Sequence, residues 1–140
     1  MKTAFADTVY WVALLDPSDR WHQQARTAGR RLGITHITTT QEVLVEVLAF
    51  FSGQGAGMRR RAAALVRGIL DDRMVTVINQ SDSSFLGGLG MYEARLDKDY
   101  SAVDCISMAA MRRERLTEVL THDHHFEQEG YDLLLVEGAK

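Results

Sequence analysis

Four consecutive residues, His122, Asp123, His124 and His125, lie between Thr121 and Phe126. Three imidazoles around a carboxylate are the donors of a transition-metal site, so the question is whether histidine or aspartate does the chemistry. Zinc needs four ligands in a structural site, or three and a water in a catalytic one. Contiguous residues cannot all point one way, and His22 and His36 lack ligand-like spacing. The aspartate has company of another kind: Asp7, Glu42, Glu46, Asp97, Asp99 and Asp104. Several carboxylates on one rim suit a hard divalent cation. Mg²⁺ and Mn²⁺ take oxygen ligands, and Mg²⁺ commonly binds through carboxylates and substrate phosphate. Two such ions activate water and stabilise the leaving oxygen of a phosphodiester. Without a cation, close carboxylates repel and raise one another's pKa.

The elements that must position these acids can be read from pattern. TAFA, residues 3–6, forms a short strand ending at Asp7, and YWVALL a buried helix. Asp16 and Pro17 suit the N-cap and first turn of a helix that places Trp21, Ala25, Ala28 and Leu32 on one face and stops at Gly33. ITHIT (34–38) is a second strand, followed by a helix from Thr39 to Ser52. MRRRAAALVRGILDD is a helix with Ala64, Leu65, Ile69 and Leu70 inward, and MVTVI (74–78) is the clearest strand. Helices follow over 81–95, despite Gly87, Gly88 and Gly90, and over 101–115. EVLT (118–121) and DLLLVE (132–137) complete the strands. Alternation of this kind predicts an α/β fold with a mostly parallel sheet, whose ligands bind beyond the carboxyl ends of the strands.

That rule selects among the acids. Asp7 and Asp123 each follow a strand, although either could instead serve as a helix cap. Thr39 and Glu42 have capping-box spacing, which gives Glu42 a structural task. Glu46, among Val43, Leu44, Val45, Val47, Leu48, Phe50 and Phe51, has none, and burying a carboxylate there is costly unless it is paired or binds metal. Ser101 and Asp104 form a second capping-box spacing, and Asp104 also gains from the helix dipole. Asp97 and Asp99 fall in the preceding loop.

The 140 residues fit one domain, and 46% hydrophobic with 25% charged residues is ordinary globular composition. A single cysteine, Cys105, excludes an internal disulfide. It adjoins Asp104 but has no base placed for it, so packing is its expected role. No apolar signal region or run of membrane-spanning length is visible, so a cytoplasmic protein without membrane attachment is expected. The net charge of −3 argues weakly against nucleic acid, but 13 of the 16 basic residues are arginines. They cluster at Arg26, Arg30 and Arg31, at Arg59, Arg60 and Arg61, and at Arg112, Arg113 and Arg115. Such clusters are either solvated helix faces or phosphate contacts. Tyr10, Trp11, Phe50 and Phe51 sit in apolar runs at helical spacing, which favours core over base stacking.

FADT, TTQEVLVE, DKDYSAVDCIS and LTHDHHFEQEG, in this order, resemble the motifs of a PIN domain. They are most similar to those of VapC-type toxins of bacterial toxin–antitoxin pairs, over nearly the whole chain. The resemblance implies a single PIN-like domain over residues 1–140, folded as a three-layer α/β/α sandwich. It implies a Mg²⁺- or Mn²⁺-dependent endoribonuclease with RNA as substrate, an antitoxin as partner and a homodimer as assembly. It assigns catalysis and metal binding to Asp7, Glu46, Asp104 and Asp123, with Thr8, Ser101 and Thr121 as hydrogen-bond partners of the acids. The alternative is a catalytically inactive PIN-like module that binds RNA or protein. The DHH letters also resemble DHH phosphoesterases, but in three letters only.

Overall fold

The computed structural model describes residues 2–137. Five strands form one sheet: β1 (Thr3–Ala6), β2 (His36–Thr40), β3 (Val75–Ile78), β4 (Glu118–Leu120) and β5 (Asp132–Leu133). Every pairing is parallel and the order is β3-β2-β1-β4-β5. Seven helices flank it: α1 (Thr8–Leu15), α2 (His22–Arg31), α3 (Gln41–Phe51), α4 (Ala56–Asp71), α5 (Asp82–Ala94), α6 (Ala102–Arg113) and α7 (His124–Gln128). This is the expected α/β architecture. The chain leaves β1 towards β2 on one side and later returns to β4 on the other. The sheet's switch point, where parallel sheets open a crevice, therefore lies between β1 and β4.

The core explains why the short β1 forms at all. Ala4, Phe5 and Ala6 are inaccessible to solvent and pair on both edges, Phe5 with Thr38 and Val119. Tyr10, Trp11 and Phe51 are buried as expected, while Phe50 is exposed. Cys105 is fully buried, and burial raises its thiol pKa, which suits packing. Phe126 is fully buried too and contributes roughly 2–3 kcal/mol of apolar burial, pinning α7 to the core.

Several boundaries differ from the pattern reading. Asp16 starts no helix. It ends α1, and its Oδ1 accepts hydrogen bonds from the Ser18 amide and hydroxyl, a local turn that delays α2 to His22. The N-cap of α3 is Thr40, whose hydroxyl accepts from the Val43 amide; Thr39 is buried in β2 and donates to the Ala6 carbonyl. Glu42 therefore has no capping-box role and instead accepts from the Ser84 hydroxyl. On α4 the inward face is Ala62, Leu65, Val66 and Ile69, with Ala64 and Leu70 outward. DLLLVE pairs over only two residues. The glycines of α5 prove useful: a Cβ on Gly88 would lie 3.2 Å from the Ile106 Cα, so the absent side chain lets α5 and α6 approach closely.

Candidate functional site

Asp7 is the first residue beyond β1 and is 3% exposed. It occupies the N-cap position of α1, yet its side chain makes no capping hydrogen bond. It is directed instead to the neighbouring strand end, where the Thr121 hydroxyl donates to its Oδ2 at 3.0 Å. The same hydroxyl oxygen accepts from the Asp123 amide at 3.1 Å. Thr121 thus ties the acid after β1 to the acid after β4. Burial pushes the Asp7 carboxyl up to about 7. The Thr8 amide and Thr121 hydroxyl oppose that rise, while the charges of Asp104 and Asp123 add to it.

Asp104 performs two tasks. Its amide donates to Ser101 Oγ and its Oδ2 accepts from the Ser101 amide, both at 3.0 Å, a reciprocal cap that starts α6. The cap also fixes the carboxylate on the rim, where His125 Nδ1 lies 2.9 Å from Oδ2. Asp123 likewise caps α7, its Oδ1 accepting from the His125 amide at 3.0 Å, and that oxygen lies 3.5 Å from His125 Nδ1. Burial works to lower the His125 pKa, but the hydrogen bond to Asp104 and the charges of Asp123, Asp104 and Asp99 outweigh it and leave the ring more basic than usual. One ligand atom each from Asp104, Asp123 and His125 lies within 4.8 Å of the others.

Glu46 stands outside this trio. It joins the rim through Thr8, whose hydroxyl donates to Glu46 Oε1 at 2.5 Å. Thr121 bonds Asp7 through its hydroxyl in the same way, whereas Ser101 bonds the Asp104 carboxylate through its backbone amide. Asp97 is solvent-exposed beside Lys98, and Asp99 is exposed but near enough for its charge to act on His125.

The imidazoles go separate ways. His122 stacks on Trp21 with ring centroids 4.6 Å apart, and burial lowers its pKa. His124 is exposed, 3.7 Å from Glu127. Only His125 enters the acid cluster, a place that the sequence motif alone did not assign to it. The register of α7 decides it, because the residue two beyond the capping Asp123 turns back towards α6. His22 and His36 contact the Ala13 carbonyl and the Thr76 hydroxyl.

A second missed feature holds α7 at its other end. Glu129, its C-cap, takes a forked hydrogen bond from Arg95 at 2.7–3.2 Å and another from the Tyr100 hydroxyl at 3.1 Å. The Tyr100 ring lies 5.4 Å from that of His125. Arg95 and Glu129 are 34 residues apart, and no local spacing signals their pairing.

This donor set is chemically suited to a divalent cation. It joins two carboxylates and one imidazole, close to a buried acid, Asp7, whose pKa is raised first by burial and further by the charges of Asp104 and Asp123.

The PIN-domain family profile matches residues 4–129. The chain belongs to the PIN-domain family. The matched span of this PIN domain contains Asp7, Glu46, Asp104, Asp123 and His125, and ends on the Glu129 clamp. Among solved structures it is similar to the crystal structure of the Mycobacterium tuberculosis toxin VapC20, described as sarcin–ricin-loop cleaving. The TM-score is 0.80 at 23% identity, covering 91% of this chain and 95% of that one. At that identity the likeness is one of fold. No curated protein matches the chain.

Proposed function

We propose that this PIN domain is a Mg²⁺- or Mn²⁺-dependent endoribonuclease that hydrolyses RNA phosphodiester bonds, acting as the toxin of a toxin–antitoxin pair. The observation that carries the reading is the convergence of Asp7, Asp104 and Asp123 at the β1–β4 switch point, through Thr121 and the Ser101 cap. Asp104, Asp123 and His125, backed by Asp7 and Glu46, are the residues that would hold the cation. When bound, it supplies an activated water and offsets charge on the phosphate. The residues of the chain do the rest. Thr121 orients Asp7 and Asp123 together. Thr8 orients Glu46. His125 balances Asp104 and Asp123 while its ring is protonated. Arginines are suited to hold the RNA backbone.

Partners are part of the reading. Phe85, Leu89 and Tyr92 of α5 expose large apolar surface, as do Val45 and Leu48 of α3. Exposed apolar residues of this kind suit contact with a second copy of the chain or an antitoxin. Among the described residues no helix is long and apolar enough to cross a membrane.

The test is cleavage of structured RNA by the purified protein with Mg²⁺ or Mn²⁺. Activity should vanish in EDTA and return with the metal; activity that survives thorough chelation overturns the proposal. Expression in a bacterial host should slow growth, and Asp7→Asn should relieve it.

A further inference from the structure

Beside the acid cluster lies a cavity of about 540 Å³ that the reaction chemistry leaves unused. The stacked rings of Trp21 and His122 form one wall, the planes only 11° apart. Val9, Leu133 and Leu135 give it an apolar lining. Its polar edge carries Glu127 and Glu137, the latter paired with Arg20, whose guanidinium lies 5.5 Å above the Trp21 ring. Asp123 borders it directly.

We propose that this cavity is a nucleobase subsite, which takes the base next to the scissile phosphate and favours one with an exocyclic amino group. The inference rests on the ribonuclease reading above. The His122 ring backed by Trp21, over an apolar lining, suits a planar, uncharged ring, and stacking on such a wall is how single-stranded RNA is commonly gripped. Arg20 neutralises Glu137, which leaves the carboxylates of Asp123 and Glu127 to disfavour a phosphate in the same space. They accept hydrogen bonds, as carboxylates do from the amino group of cytosine. Position supplies the link to catalysis. His122 and Asp123 are consecutive, with Cα atoms about 3.8 Å apart. A base held against His122 therefore belongs to a nucleotide carrying or flanking the phosphate at Asp123.

Two measurements test it. The first needs no activity. The indole N–H signals of Trp11 and Trp21 are followed by NMR while the protein is titrated with CMP, AMP, GMP or UMP, none of which has a phosphodiester bond to cleave. Trp11 donates to Thr39 from within the core and serves as the internal control. The Trp21 signal should move with CMP, AMP and GMP more than with UMP, and the response should be lost in His122→Ala. The second measurement is RNA cleavage. His122→Ala should raise KM by about 5- to 150-fold, the range expected for one lost base stack, with the loss falling on KM rather than kcat. Trp21→Phe should retain much of the affinity that Trp21→Ala loses. A Trp21 signal unmoved by all four nucleotides, together with a His122→Ala enzyme of wild-type KM, overturns the subsite while leaving the ribonuclease reading intact. A protein that cleaves no RNA yet shows the Trp21 response has lost the ribonuclease reading and kept the base site.

Discussion

Asp7→Asn should make the metal-free protein respond differently to pH. The carboxyl of Asp7 has a pKa of about 7 in the fold against an ordinary 3.8, because burial penalises its ionised form and Asp104 and Asp123 add to the penalty. At about 1.4 kcal/mol for each tenfold change in proton affinity, ionising Asp7 costs the folded state about 4 kcal/mol. The sign follows from linkage. A group whose pKa is raised on folding supports the fold fully below about pH 4, and that support is lost as pH rises through about 7. Asn keeps an acceptor for the Thr121 hydroxyl and never ionises. Its buried amide donors need partners, which adds a penalty that does not vary with pH. In EDTA, the variant should therefore gain on the wild type by up to about 4 kcal/mol between pH 4 and 8. That is a relative Tm gain on the order of 10 °C for a chain of this length. Differential scanning calorimetry across that pH range, with and without Mn²⁺, measures it. Millimolar Mn²⁺ should restore the wild type at pH 8 by mass action and do much less for the variant. A Tm difference constant from pH 4 to 8 would refute the burial argument.

Other expectations follow from the same geometry. Asp123→Asn should reduce the RNA cleavage rate at least ~10²-fold, whereas His124→Ala, at an exposed site, should change it little; the reverse ranking in single-turnover assays would mean that a softer metal belongs here. His125→Ala removes a proton that competes with the cation, so a plot of log metal affinity against pH should become shallower by up to about one between pH 5 and 8, read by calorimetric titration. Gly88→Ala should destabilise by about 1–3 kcal/mol in urea unfolding, because overpacking against Ile106 outweighs the better helix propensity of Ala. Neutralising the arginine cluster that grips RNA should flatten the dependence of log binding affinity on log salt, by about 0.7 for each single-strand phosphate that the protein no longer neutralises; if all three cluster variants keep the wild-type slope, the arginines do not hold the substrate.

Much of this protein could be read from the chain alone. Hydrophobic runs of strand and helix length alternate, which sets the α/β class, because each run must bury itself against a neighbour of matching period. The acids stood out for a related reason. Asp7 directly follows β1, Asp123 lies shortly after β4, and Glu46 interrupts an apolar helix, so their local surroundings already mark them. The Ser101–Asp104 cap was legible too, since capping is decided within three residues of sequence. Pairings between distant segments were not. Thr39 gave a plausible cap by spacing, but pairing with Val77 of β3 kept it in the strand and moved the cap to Thr40. Where the histidine rings end up is a tertiary matter: a buried Phe126 and the Asp123 cap set the turn of α7 that sends His125 to the acids, while His122 stacks on Trp21. Gly88 reads as a helix weakness until Ile106 is packed against it. The Arg95–Glu129–Tyr100 clamp exists only once α5 and α7 have docked. Periodicity and capping are local energies, visible along one chain. Which side chain meets which across the sheet depends on strand order and helix approach, and those are decided by packing the whole molecule.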